Sequence, residues 1–473
     1  MDFSDFQQAR LIPVSGLKGD EEQERRTTSA FLAVLTSVPE FARTLLKDLD
    51  APAGNVECYI EPEFELDERR IRPDGLIVVK RGKTIWTALV EVKTNKNNLN
   101  SDQLNSYLEL CRLYEVDALL TISNQVLTYT GEHPTLGIDH KKYKKINLVH
   151  HSWIRILTAA IVQKEFRGIS DPDQAWILGE LIRFLQHPAS GASEFNDMGD
   201  SWVTVREGIL NGTLTSQSKH VPETIHNFES LMRFAAFRLS AKLGEQVREV
   251  APKLAKTDPE RFTQQSITSF LETGCLTGEI EIPKTISNID VAVDLRAGQI
   301  RVTISVPAPQ DGRSLTRVNW LLRQLSKAPD NLRLETRVKN AGKRPLNVEL
   351  LSDARKKPEL LVPADGRDIS GFTLTYIQKV GTKRGRGKGS FIDSVIDTIE
   401  DFYNSVLENL TPWVAKPSKP AVLQAGPDES PFDPEGPDSQ PLGSRFASGA
   451  AHSGEVSLDL PASSVDEDSS TEN

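Results

Sequence analysis

Apolar positions along this chain recur in two rhythms, one helical and one alternating, and the switches between them outline its elements. Ala30, Phe31, Val34 and Leu35 fall at helical spacing, with Glu21, Glu22 and Glu24 near the end where the helix dipole favours negative charge. This predicts a helix over about 20–46, broken or kinked at Pro39. Three β-branched segments follow, about 56–66, 71–80 and 84–93; the turn Arg81-Gly82-Lys83 joins the last two as a meander. A helix over 101–115, a buried strand over 117–123, a strand near 146–150 and a helix from Trp153 complete an αβββαβ order with one late strand. That order implies a mixed sheet flanked by helices. A further helical pattern covers 173–186.

After the polar Gly/Thr/Ser stretch at 208–218 the rhythm starts again. Helical patterns over 223–254 and 259–271 give way to strands over 279–282, 288–295 and 300–306. A helix over 314–326, strands over 332–338, 346–351 and 372–377, and a last helix over 390–410 follow, an α+β arrangement with no internal repeat of fixed period. From about Val414 onward Pro417, Pro420, Pro427, Pro431, Pro434, Pro437 and Pro441 crowd among Ser, Gly and Asp. Such a segment cannot bury enough apolar surface to offset ordering entropy of roughly 1–2 kcal/mol per residue, so a disordered acidic tail is expected over 414–473.

Composition changes this picture in two ways. The formal charge of −10 resides mainly in that tail, whose net −8 leaves −2 for residues 1–413, so the overall charge does not exclude an anionic partner. The three cysteines, Cys58, Cys111 and Cys275, lie far apart and form no C-x-x-C, which argues against a disulfide framework or a zinc knuckle. With no apolar run long enough for a membrane helix and no secretory pattern at the start, the expectation is a soluble protein of a reducing compartment, cytoplasmic and without a membrane partner.

The stretch with chemical content is Arg72-Pro73-Asp74-Gly75, followed by Val90-Glu91-Val92-Lys93. Glu91 and Lys93 are two apart and share one face of a strand, and a meander sets Asp74 beside Glu91. Two carboxylates with few other protein ligands suit Mg²⁺ (or Mn²⁺), which keeps waters and accepts phosphate oxygens. An adjacent ammonium can orient the attacking water or stabilise the pentacovalent state. E-x-K alone carries little weight, and P-D-G alone marks a turn. Jointly they lie at the ends of apolar strands, where an unpaired charge costs several kcal/mol.

Pro73-Asp74 with Glu91-x-Lys93 resembles the PD-(D/E)xK nuclease superfamily, and Gln103-Leu104-Asn105-Ser106-Tyr107 is similar to the Q-x-x-x-Y motif of its RecB-like branch. The resemblance covers about residues 20–160 and implies a restriction-endonuclease-like fold. It implies that Asp74 and Glu91 bind the metal, that Lys93 is catalytic, and that Gln103 and Tyr107 face the site and hold the nucleic-acid backbone. Family members often add a carboxylate from the first helix. Glu24, on the face of Thr28, Phe31 and Leu35, is the first choice and Glu21 the second. The iron–sulfur cysteines of some relatives are absent.

Outside this core, Lys383, Arg384, Arg386 and Lys388 form a Gly-rich basic loop without Walker spacing, assigned here to nucleic-acid contact with a solvated hairpin loop as the alternative. Lys141, Lys142, Lys144 and Lys145 are either a phosphate-tracking run or a solvated loop. His150 and His151 are read as structural. The expected organisation is a nuclease-like domain over 1–165, a helical appendage and linker over 166–218, an α+β domain over 219–413, and the tail. The expected function is metal-dependent hydrolysis of nucleic acid, DNA in preference to RNA. The alternative is a catalytically silent DNA-binding or interaction protein, with a homodimer or protein partner contacted through the second domain.

Overall fold

Two large sheets and one small hairpin organise the chain in a computed structural model that describes residues 10–16, 19–127, 129, 132–139, 143–192, 195–338 and 347–414. The expected acidic tail beyond Val414, Lys141 and Lys142 lie outside the described residues. The first sheet is preceded by α1 (Asp20–Ser37) and α2 (Pro39–Leu46), so the single expected helix is divided at Pro39, which opens the second. Then come β1 (Asn55–Ile60), the hairpin β2 (Phe64–Leu66) and β3 (Arg69–Ile71), and β4 (Gly75–Arg81) and β5 (Thr84–Val92). The strand expected over 56–66 is interrupted because Glu61 takes φ 48° and Pro62 offers no N–H to a ladder. Asp67 and Glu68 then both hold positive φ, which closes the hairpin in two residues.

The sheet is completed by α3 (Ser101–Leu113), β6 (Ala118–Ser123), β7 (Asn147–Ser152), α4 (Trp153–Val162) and α5 (Pro172–Leu185), with strand order β1-β4-β5-β6-β7. β1–β4 and β4–β5 are antiparallel, while β5–β6 and β6–β7 are parallel. This is the mixed sheet flanked by helices that the pattern implied. The parallel step from β5 to β6 is made through α3, as a crossover requires.

The second sheet draws on α6 (Trp202–Asn211), α7 (Val221–Leu243), β8 (Arg248–Glu249), α8 (Lys253–Thr257), α9 (Pro259–Thr273), β9 (Cys275–Glu281), β10 (Ile289–Asp294) and β11 (Gln299–Pro307). It continues through α10 (Ser314–Gln324), β12 (Arg333–Val338), β13 (Val348–Leu350), α11 (Leu351–Lys356), β14 (Ile369–Lys379) and α12 (Phe391–Ser405). Its seven strands run β13-β12-β14-β11-β10-β9-β8, every neighbour antiparallel. The helix expected to reach residue 254 ends at Leu243, because Gly244 turns left-handed at φ 70°. A Cβ there would lie 2.2 Å from the Phe166 ring, so both the turn and the close approach call for glycine.

One apolar core joins Phe31 and Leu35 on α1, Trp153 on α4, Phe184 on α5, Phe228 on α7 and Phe391 on α12. The described residues accordingly pack as one compact unit, and the boundaries expected near 165 and 218 mark changes of sheet without a break in packing. The segment expected as an appendage contributes α5, whose Leu178, Leu181, Phe184 and Leu185 are buried in that core. Among the described residues no single helix is long and apolar enough to cross a membrane.

Phe31 is fully buried and meets Trp153 edge-to-face at 5.9 Å, fastening α1 to α4. Phe31→Ala is expected to destabilise the chain by about 3–5 kcal/mol, measured as a shift of the denaturation midpoint at unchanged slope.

Candidate active site

Register places the two acids. Gly75 pairs with Val90 across β4 and β5, so Asp74, one residue before β4, stands opposite Glu91. Asp74 Oδ2 accepts the Val92 N–H at 2.7 Å, which anchors its carboxylate to the end of β5. Lys93 leaves β5 with its N–H given to Ile122 O of β6 at 2.8 Å and its carbonyl accepting the Trp153 indole N–H at 3.0 Å. Both sides of the Lys93 backbone are therefore held, which fixes where the side chain starts.

The Lys93 ammonium lies 2.8 Å from Glu91 Oε1 and 3.0 Å from Glu24 Oε1, and donates to Val92 O at 2.9 Å. Glu24 projects from the second turn of α1, and its Oε2 accepts the Thr94 N–H at 3.2 Å. Glu24 is thus the carboxylate of α1 that reaches the site, whereas Glu21 is exposed. Tyr107 of α3 is buried and accepts from Gln103 Nε2 at 2.8 Å, so the two residues of the Q-x-x-x-Y pattern act as a pair. The structure brings Asp74, Glu91, Lys93, Glu24 and Tyr107 into one electrostatic cluster.

Within that cluster burial and charge oppose each other. Glu91 is 1% exposed, and the Lys93 ammonium beside its Oε1 is the one cation of the cluster. Burial, then repulsion from Asp74, pushes the Glu91 carboxyl up to about 8 against the pull of Lys93. Burial likewise raises Glu24, with Lys93 opposing. For Lys93 burial works downward, but Glu91, Asp74 and Glu24 outweigh it and hold the ammonium above its ordinary range. Burial raises the Tyr107 phenol, reinforced by the negative charge of Glu91.

Three carboxylates against one ammonium leave an excess of negative charge in a poorly solvated place. A buried carboxylate whose charge is only partly compensated calls for a proton or a further cation. Hard divalent ions take oxygen ligands of this kind, so the donor set of Asp74 and Glu91 fits Mg²⁺ or Mn²⁺. Among the described residues no group of three or more His, Cys, Asp or Glu is arranged to hold a metal, so water and substrate oxygens would have to complete the coordination.

Several neighbours carried no sequence signal. Asn95, at φ 54°, binds Asp20 and Gln23 of α1 through its side chain and takes its own N–H to Gly191 O at 2.9 Å. Asn124 Nδ2 bridges Asn95 O and Gly191 O at 2.9 and 2.8 Å. These contacts span 29 to 96 positions of sequence, beyond any local motif; only the left-handed Asn after the E-x-K-T run follows a local preference. Gly191 holds φ 67°, and a Cβ there would meet the Thr94 Cβ at 2.8 Å, so this glycine lets the 187–192 loop close on the site.

The basic loop stands differently. Arg384 pairs with Asp200 at 2.6 Å and Asp197 at 3.1 Å, and Arg386 pairs with Asp393, so both guanidiniums hold the loop to its own fold. Lys383 and Lys388 are exposed, as are Lys144 and Lys145. No described contact joins the loop to Asp74, Glu91 or Lys93.

The histidines read as structural are buried. Thr121 lies in one register row with Glu91 and His150. His150 Nδ1 faces Thr121 Oγ1 at 3.1 Å, His150 Nε2 meets Gln125 O at 2.9 Å, and His133 Nε2 meets Thr121 Oγ1 at 2.8 Å. Burial draws His150 down to about 3, so the folded chain holds it neutral where the unfolded chain, near 6.5, binds a proton. Its contribution is present above about pH 6.5 and is lost as pH falls toward 3. Glu91 works in the opposite sense, so the test compares two proteins: between pH 7 and about pH 5, His150→Gln should lose roughly 2 kcal/mol less stability than the wild type. Parallel pH profiles from denaturant titration would contradict this. Comparison with family models and with curated proteins finds no match to this chain.

Proposed function

We propose that this protein is a metal-dependent nuclease that hydrolyses phosphodiester bonds, with DNA as substrate in preference to RNA. The observation that carries the proposal is Glu91, a buried carboxylate opposite Asp74 with the single ammonium of Lys93 beside it, an ammonium it shares with Glu24. Asp74 and Glu91 would hold Mg²⁺ or Mn²⁺. When bound, such an ion lowers the pKa of a coordinated water and neutralises charge developing on phosphorus.

The chain's own groups do the rest. Lys93 presents its ammonium at the mouth of the acid pair, where it orients the attacking water and stabilises the negative charge that grows on the phosphoryl oxygens. Glu24 acts through Lys93 as a positioning residue, since its contacts are the ammonium and the Thr94 N–H. Gln103 and Tyr107 line the α3 side, where amide and phenol groups can donate to a phosphate backbone. A restriction-endonuclease-like fold and membership of the PD-(D/E)xK superfamily belong to this proposal, supported by the mixed sheet and the order of the motifs. A cytoplasmic setting belongs to it as well, consistent with three free thiols.

The exposed Lys383 and Lys388 favour a second reading, a protein on the same scaffold that binds DNA without cutting it. One set of measurements separates the two. Plasmid nicking in Mg²⁺ or Mn²⁺ should fall by roughly 10²-fold or more in Asp74→Ala, Glu91→Ala and Lys93→Ala, with circular dichroism unchanged. Calorimetric titration with Mn²⁺ should show binding by the wild type and its loss in Glu91→Ala. DNA binding without metal uptake or turnover would leave the second reading, and absence of both would remove the first and the second together.

A further inference from the structure

A cavity of about 720 Å³, lined by none of the acid-cluster residues, is bounded by elements of both sheets. One wall comes from α2 and the turn after it, a second from the end of β7 and from α4, and a third from α7 and the approach to β8. Six basic and three acidic side chains line it, so with neutral histidines its walls carry a positive excess.

Arg248 pairs with Glu281, and the other five basic groups fall into two sets. Arg233 pairs with Glu249 where both are largely buried, and Arg155 pairs with Asp48 nearer the surface. Burial, and then the nearby charge of Arg233, lowers the pKa of Arg155, so the two guanidiniums stand close enough to repel. At the rim Arg43, Lys47 and Arg167 are exposed; among the described residues none of the three has an ion pair, and Arg167 donates to the Thr44 hydroxyl at 3.5 Å. Three cations at one opening, beside guanidiniums already matched by carboxylates, make a site for an anion with several oxygens.

His151 adds a second requirement. The side chain is 1% exposed, its Nε2 lies 3.2 Å from Asp48 Oδ2, and its Nδ1 is buried without a partner. A carboxylate only accepts, so Nε2 carries the hydrogen and Nδ1 presents a bare lone pair. Whatever approaches Nδ1 must bring an N–H or O–H donor. Val149, Val162 and Phe237 supply an apolar wall between these polar features. A lone phosphate would leave most of this volume unfilled, and a purely apolar molecule would leave the cations and His151 unmet.

We propose that this cavity binds a nucleotide, with its phosphate at Arg43, Lys47 and Arg167, its ring against Phe237 and Val162, and a ring or sugar donor on His151 Nδ1. The same chemistry is offered by a free nucleotide and by the 5′-phosphorylated end of a strand. The site shares no residue with Asp74, Glu91, Lys93 or Glu24, so it stands or falls separately from the nuclease reading.

The test uses the full chain in chelator, which silences any metal-dependent reaction. The four ribonucleoside 5′-monophosphates, adenosine, inorganic phosphate and a short oligonucleotide with and without a 5′-phosphate are titrated by calorimetry. At least one monophosphate or the 5′-phosphorylated strand should bind, with adenosine and inorganic phosphate each weaker by roughly tenfold or more. The exposed double variant Arg43→Glu/Arg167→Glu should weaken that binding by a further tenfold or so while its melting temperature is retained, and the exposed control Lys327→Glu/Lys357→Glu should leave it unchanged. Preference for the monophosphate identifies a free nucleotide, and preference for the 5′-phosphorylated strand identifies a strand end; each supports the site. No binding by any phosphorylated probe, or binding indifferent to Arg43→Glu/Arg167→Glu, overturns it.

Discussion

The pairing of Lys93 with Glu91 and Glu24 is the interaction on which the first half of the molecule turns, because it places charge where the surrounding strands are apolar. Val90 and Val92 on either side of Glu91 are fully buried, and so are Leu120 and Ile122 on the adjoining strand. A carboxylate in that setting is tolerated only with a compensating cation. Lys93 provides one positive charge for three acids, so compensation is incomplete, and the shortfall is what a divalent ion can make good. The backbone around the cluster is correspondingly over-determined: Lys93 is held at both its N–H and its carbonyl, and Asp74 is tied to Val92. Rigid support of this kind keeps like charges close that would otherwise separate.

Helix α1 connects this chemistry to the rest of the fold. Its Glu24 face meets Lys93, while Phe31 and Leu35 enter the core that continues through Trp153 to α7 and α12. Trp153 serves both roles, packing on Phe31 and donating to the Lys93 carbonyl. The acid cluster and the cavity beneath β7 therefore lie on one continuous packed body, which the second sheet completes by supplying Arg233, Phe237 and Glu249 to that cavity.

How far each feature could be read ahead of the structure depends on the range of the forces behind it. The strands β4 and β5 and the turn between them were legible because alternation and a Gly turn are local. The opposition of Asp74 and Glu91 followed from that hairpin with no further information. Helical phase put both Glu24 and Glu21 on the face that carries Phe31 and Leu35, and the structure decides between them, since Glu24 meets Lys93 while Glu21 is exposed. The break at Glu61 and the early stop at Gly244 were not foreseen. The first depends on a backbone conformation unusual for glutamate, and the second on Phe166, nearly eighty positions away. The basic loop shows the converse error of reading charge alone: two of its arginines have partners at Asp197, Asp200 and Asp393 that composition cannot assign.

The amino-acid order by itself determined the alternation of helix and strand, the mixed character of the first sheet, and the meeting of two acids and an amine at the end of one hairpin, because periodicity and turn chemistry act over a few residues. Tertiary packing alone decided how completely Glu91 is buried, that Gly191 and Asn124 close on the acid cluster, and that His151 faces Asp48 across more than a hundred positions. Desolvation and partner choice are properties of the finished three-dimensional surroundings, and no local stretch of chain carries them.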